Sequence, residues 1–232
     1  MAESKRPPAK SGASAGSGDV AAFLAEARGL APSANDGRGR LIFALDATMS
    51  RQPTWDRALQ LQGEMFEEAG KVGGLDIQLV YFRGFNECRA SRWVSDAKAL
   101  RDLMTGIDCR GGNTQIGKLL SHARKETTKR KVNVMVFVGD AQEEVLDDLA
   151  AKAGELGLLG VRLFMFQEGR DGLVERGFRE LARLTGGAYA RFDPNAAGEL
   201  RQLLTAAAVY AAGGLKALRK SAGAKLLIEQ LR

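Results

Sequence analysis

The sequence predicts an α/β protein: a doubly wound, mostly parallel central sheet with one antiparallel edge hairpin and helices on both faces. Three observations carry this. Residues 40–45 (RLIFAL), 131–140 (KVNVMVFVGD) and 161–166 (VRLFMF) are apolar runs without the polar alternation of a half-exposed strand, the mark of strands covered on both faces. Such runs alternate with amphipathic helical stretches over about 170 residues, the pattern of βα units. After Gly84, a second extended piece around residues 89–94 follows the strand 76–82 (DIQLVYF) directly and pairs back on it as a hairpin.

Residues 1–39 read as a tail. The first 18 are rich in Ser, Gly, Ala, Pro and Lys with nothing to bury, a disordered composition. Asp19 could cap a short helix over VAAFLAEARGL, ending near Gly29. The domain proper spans 40–211. Its first strand leads into a helix that starts near Pro53, a residue suited to a first helical position, and buries Ala58, Leu61, Met65 and Phe66 on the way to Gly70. The hairpin follows, with Trp93 expected in the core. Asp96 then caps a helix whose Leu100, Leu103, Met104 and Ile107 fall at helical spacing. The loop Arg110-Gly-Gly-Asn-Thr114 opens a helix with Ile116, Leu119, Leu120 and Ala123 inward. After the strand at 131–140, a helix places Val145, Leu149, Ala153 and Leu156 on one face. A strand at 161–166, a helix at 173–184 and a short strand at 188–192 come next. Asp193-Pro194-Asn195 starts a last helix through Leu200, Leu203, Leu204 and Ala207. Gly213–Gly214 breaks it before a basic helical tail, 212–232.

At 232 residues, 45% hydrophobic and 27% charged, the chain is long enough for one well-buried domain with appendages. No apolar run nears the roughly 18 residues of a membrane span, and the N-terminus lacks the apolar core of a secretory signal, so a cytoplasmic location is expected. Cys88 and Cys109 form no CxxC or Cys/His pattern and read as ordinary thiols. The net charge of +6 is uneven: residues 213–232 hold five basic residues against one acidic, and 1–39 hold five against four, which leaves 40–212 near neutral. A nucleic-acid role for the core is therefore not expected.

The chemistry concentrates at strand ends. The first strand finishes in Asp46-Ala-Thr48-Met-Ser50, Thr114 follows two glycines, and Asp140 closes a later central strand. In a parallel sheet such positions face the ligand-binding crevice. Two carboxylates and three hydroxyls, with no histidine or thiolate, suit Mg²⁺, with Mn²⁺ or Ca²⁺ as alternatives, over soft metals. Any one of these residues could simply cap a helix or turn; the five together read as a metal site.

On these residues the chain resembles the von Willebrand factor A family, a Rossmann-like fold whose metal-ion-dependent adhesion site is D-x-S-x-S, a distant Thr and a distant Asp. The resemblance covers residues 40–211. It implies that Thr48, Ser50 and Thr114 offer hydroxyl oxygens to a divalent ion, with Asp46 and Asp140 holding metal-bound water and orienting the hydroxyls. Thr48 stands where serine is commoner, and VGDAQEE replaces the frequent T-D-G around the second aspartate. Glu143 and Glu144 are expected to start the next helix and complement its dipole.

The function implied is a metal-dependent protein-interaction module, not an enzyme. Its partner would present an Asp or Glu to the ion, and bacterial-type intracellular relatives suggest a AAA+ ATPase as such a partner. Arg51 and Trp55, next to the metal loop, are candidate partner contacts, with Trp55 packed on the first helix as the alternative. His122, the one histidine, lies mid-helix without metal-ligand neighbours. Gly112 to Gly117 and Lys118 have P-loop spacing, but Leu119 stands where Ser or Thr is needed. Two other functions compete. A phosphatase of the haloacid dehalogenase type needs D-x-D, and Thr48 takes the second Asp's place. Nucleic acid could be bound by Lys216, Arg219, Lys220 and Lys225, but an amphipathic helix, solvated or packed on a partner, is the preferred reading of that tail.

Overall fold

The computed structural model describes residues 38–192, 197–220 and 225–231, without the side chains of Ser50, Gln62, Ala197, Lys225 and Leu226. The short helix expected after Asp19 and the start of the last helix at 193–195 lie outside the described residues.

Six strands form one sheet in the order β3-β2-β1-β4-β5-β6: β1 (Gly39–Asp46), β2 (Leu75–Arg83), β3 (Glu87–Val94), β4 (Val134–Gly139), β5 (Arg162–Glu168) and β6 (Ala188–Phe192). All pairings are parallel except β2 with β3, the expected hairpin. The helices are α1 (Gln52–Gly70), α2 (Ala97–Thr105), α3 (Ile116–Lys129), α4 (Leu146–Leu158), α5 (Gly172–Leu184), α6 (Ala197–Leu218) and α7 (Lys225–Ile228), with a 3₁₀ turn at Met49–Arg51 between β1 and α1.

The period of two along β1 explains its unbroken apolar run. Leu41, Phe43 and Leu45 join a core with α1, α2 and α6 on one side of the sheet. Ile42 and Ala44 join a second core with α3, α4 and α5 on the other. Both sets are essentially inaccessible to water, so a polar residue at any of these positions would be desolvated without a partner.

Winding reverses at β1. The chain moves from β1 outward through β2 to β3, then returns to lay β4 on the other side of β1 and continues to β5 and β6. The carboxyl ends of β1 and β4 are therefore neighbours at the topological switch point, where open α/β sheets leave a crevice. Asp46 ends β1 and Asp140 follows β4 directly.

Two local expectations are corrected, and a third holds. Val145 caps α4 rather than lining its inner face, and is 64% exposed; Leu149, Ala153 and Leu156 do face inward. Trp93 is half-buried at the edge hairpin, where its Nε1 donates to Glu126 (2.9 Å) and the Arg40 guanidinium stacks 3.7 Å from the ring centroid. The break expected at Gly213–Gly214 is present within α6, at Gly214 in a left-handed conformation (φ 65°). Beyond it, Leu218, Leu227 and Leu231 pack into the same core as β1, while Lys216, Arg219 and Lys220 stay in water. Among the described residues no helix is long and apolar enough to cross a membrane.

Candidate metal centre

Asp46 is 4% exposed at the end of β1, and its Oδ1 accepts the backbone N–H of Thr48 at 2.8 Å. Burial pushes its carboxyl up to about 6 and the negative charge of Asp140 adds to this, while the bonds from Thr48 and the charge of Arg51 pull it back. A carboxylate held at such cost two residues from a half-buried threonine hydroxyl is a poor device for stability alone.

The loop carrying Thr114 is fixed at both ends. Arg110 N–H donates to the Ala47 carbonyl (2.9 Å) and Asn113 N–H to that of Gly84 (3.2 Å). Gly112 presses against the backbone of Gly84, where a side chain's first carbon would stand 2.1 Å from the Gly84 oxygen. Gly112→Ala is therefore expected to lower stability by about 1–3 kcal/mol, read as a shifted urea midpoint. A neutral result would show that the two loops part freely.

Glu143 and Glu144 do not start their own helix. They reach across to the loop before α3: Glu143 accepts from Thr114 N–H (2.7 Å), and Glu144 accepts from the Thr114 hydroxyl (2.6 Å) and Gly117 N–H (3.0 Å). The Thr114 hydroxyl also accepts from Glu143 N–H at 2.9 Å. With its proton committed and one lone pair used, that oxygen keeps one lone pair. Asp140, with a side chain 35% exposed, completes the group.

A cavity of about 230 Å³ brings the three loops together. Asp46, Thr48, Thr114 and Asp140 all line it, with Met49, Gly111, Gly112, Ala141 and Glu143. The Ser50 side chain lies outside the described residues. The donor set fits a hard divalent ion: carboxylate and hydroxyl oxygens around an open cavity, one hydroxyl already oriented by an acid. Among the described residues no cluster of three or more His, Cys, Asp or Glu groups is placed to hold a metal.

The neighbours of the metal loop are not partner contacts: for Trp55 the packed alternative holds, and Arg51 differs from expectation. Trp55 is 2% exposed and packs edge-on to Tyr81 (centroids 6.2 Å apart), so it is core and offers no partner a surface. Arg51 is 3% exposed and turned inward. It donates to Glu168 and to Thr54 Oγ1 (2.9 Å), Thr54 donates to the same Glu168 carboxylate, and its Nη1 lies 3.5 Å from Asp140 Oδ2. It cannot touch a partner directly.

Glu168 went unnoticed in the sequence, although the rule that singles out Asp46 and Asp140, an acid at the carboxyl end of a parallel strand, applies to it equally. An apolar rim was missed as well. Of six large hydrophobics exposed among the described residues, four follow the carboxyl ends of β1, β2, β4 and β5 at this edge: Met49, Phe85 and Val145 on the connections and Leu173 in the first turn of α5. Scattered exposure would need no explanation; collection at one edge does.

Other polar candidates are tied elsewhere. His122 pairs with Gln78 of β2 at 2.8 Å. Lys118 binds Asn86 and Gln115 (2.9 Å to the latter), which keeps its ammonium at the β2–β3 turn. Cys109 is buried, and that burial pushes its thiol up to about 11, far from a nucleophile's range at neutral pH.

No known family profile matches the chain, and no curated protein matches it in sequence. Solved structures do match its fold. Von Willebrand factor type A from Catenulispora acidiphila superposes with a TM-score of 0.58 at 15% identity, over 74% of this chain and 43% of that one. The SpRpn10 VWA domain gives 0.55 at 13% identity, over 76% and 97%. Proximal thread matrix protein 1 from the mussel byssus, with a zinc-occupied MIDAS motif, gives 0.58 at 17% identity, over 74% and 46%. The chain thus spans less than half the length of the first and third of these proteins. At such identities the likeness is one of fold, that of von Willebrand factor A domains.

Proposed function

We propose that this chain is a protein-interaction module that grips an acidic side chain of its partner through a divalent cation, with Mg²⁺ the expected ion and Mn²⁺ or Ca²⁺ alternatives. The observation that carries this reading is that Asp46, Thr48, Thr114 and Asp140, drawn from three separate loops, line one cavity at the switch point of the sheet. The mussel byssus protein with its zinc-occupied MIDAS supports it as a fold neighbour. Thr48, Thr114 and, by its place in D-x-T-x-S, Ser50 would hold the ion through hydroxyl oxygens. Asp46 and Asp140 would order its water and supply counter-charge. A divalent ion so held, surrounded mainly by neutral oxygens, supplies unneutralised positive charge with room for one anionic ligand. The exposed Met49, Phe85, Val145 and Leu173 fit a partner whose Asp or Glu is flanked by apolar side chains. Among partners of that kind, the family resemblance favours a cytoplasmic AAA+ ATPase.

The reading is of docking and not of catalysis. Hydrolysis would need a positioned base or nucleophile beside the ion, and the place of a second phosphatase aspartate is held by Thr48. Titrating Mn²⁺ into wild-type protein should give saturable binding that Asp46→Ala and Thr114→Ala each weaken at least about 100-fold. Unchanged binding in both variants would sink the proposal. Release of phosphate from an aryl phosphate, lost on Asp46→Asn, would favour the phosphatase instead.

A further inference from the structure

We propose that Arg51 is the resident counter-cation of this site, anchored by Glu168 and Thr54 and competing with the divalent ion for Asp140. The inference rests on the metal-docking reading above. A guanidinium 3% exposed carries a permanent charge that needs anions around it. Arg51 has three carboxylates in its surroundings: Glu168, which it binds directly; Asp140, 3.5 Å from Nη1; and Asp46, close enough for their charges to interact. One positive charge against these three negative ones leaves an excess of negative charge that favours a divalent cation. Glu143, which also lines the cavity, and Glu144 add further negative charge while accepting bonds from Thr114 and the N-terminus of α3.

The two sides of Arg51 are held unequally. Toward β5 its Nη2 donates to both Glu168 and Thr54, and Thr54 donates in turn to Glu168, closing a three-membered ring of bonds. Toward the cavity the Asp140 contact is longer than a good hydrogen bond. An ion entering beside Asp140 therefore displaces Arg51 from Asp140 alone and leaves the Glu168 anchor in place. Glu168, which lines no part of the cavity, thus governs metal affinity indirectly: it keeps the guanidinium from closing fully on Asp140.

This assigns opposite effects to two substitutions. In the full-length chain, Glu168→Gln frees Arg51 to pair with Asp140 and should weaken Mn²⁺ binding about 10-fold. The pair Arg51→Met/Glu168→Gln removes one charge of each sign and should restore binding to the wild-type level or tighter. Arg51→Met alone would leave Glu168 facing the core without its cation, so the pair is the informative variant. Free Mn²⁺ is measured by its electron paramagnetic resonance signal, with circular dichroism to show that each variant is folded. A Glu168→Gln variant with wild-type affinity overturns the inference, as does a double variant that stays as weak as Glu168→Gln. Both results leave the metal site standing. A wild-type protein that takes up no Mn²⁺ overturns the site and this inference together. If the double variant fails to fold, the Glu168→Gln result alone decides.

Discussion

Replacing Asp46 by asparagine is expected to stabilise the metal-free protein at pH 7 by about 1–3 kcal/mol while eliminating its response to divalent ions. The shift of this carboxyl from 3.8 to about 6 corresponds to roughly 3 kcal/mol at about 1.4 kcal/mol per pKa unit. The sign follows from proton linkage. The folded state binds the proton more tightly than the unfolded state, so the favourable contribution is complete below pH 3.8 and is lost as pH rises through about 6. Urea unfolding of the wild type should therefore show stability falling between about pH 4 and pH 6, relative to an asparagine variant that lacks this slope. Asparagine keeps an acceptor for Thr48 N–H but not the charge. Added Mn²⁺ should raise the wild-type midpoint and leave the variant unmoved, since only binding to the folded state stabilises. A variant no more stable than wild type at pH 7 would show that Asp46 is not the group bearing the burial cost.

Trp55→Ala carries the largest expected loss of stability, about 3–5 kcal/mol, because it empties a fully enclosed indole site and removes the edge-on contact with Tyr81. Mn²⁺ affinity of the molecules that remain folded should stay within about twofold of wild type, since the indole lines no part of the cavity. Urea denaturation and metal titration on one preparation separate the two effects. A loss below about 1 kcal/mol with weakened partner capture would favour the partner-contact reading of Trp55 over the packed one.

The fold was legible wherever burial is two-sided. The apolar runs of β1, β4 and β5 carry no polar alternation because α1, α2 and α6 cover one face while α3, α4 and α5 cover the other, and that signal survives without tertiary information. The strand-end acids Asp46 and Asp140 were legible for a related reason: a parallel sheet projects its carboxyl ends toward one crevice. What escaped were side chains whose partners lie far along the chain. Arg51 was read beside the metal loop in sequence, but its partner Glu168 is 117 residues away, and no local pattern announces that the guanidinium turns inward. Glu143 and Glu144 were matched to the nearest helix dipole, α4, whereas the loop after β4 delivers them to the start of α3. Val145 fitted a helical period but sits one residue before the period begins, a reminder that apolar spacing locates a helix better than it locates its ends.

The last described turn of the chain bears on how the molecule avoids unwanted company. The side-chain amide of Gln230 accepts from Tyr189 N–H and donates to the Tyr189 carbonyl, both at 2.7 Å. One amide thus presents to β6 the same donor and acceptor that a peptide unit of a seventh strand would. The opposite margin, β3, exposes Arg89 and Arg92 along its length, charges that discourage a stacking neighbour. Each margin thus carries a device that disfavours strand addition, a surrogate peptide group at Tyr189 and exposed charge on β3. On the proposed function, a partner would then dock at the loops around the cavity and bring a carboxylate rather than a bare backbone.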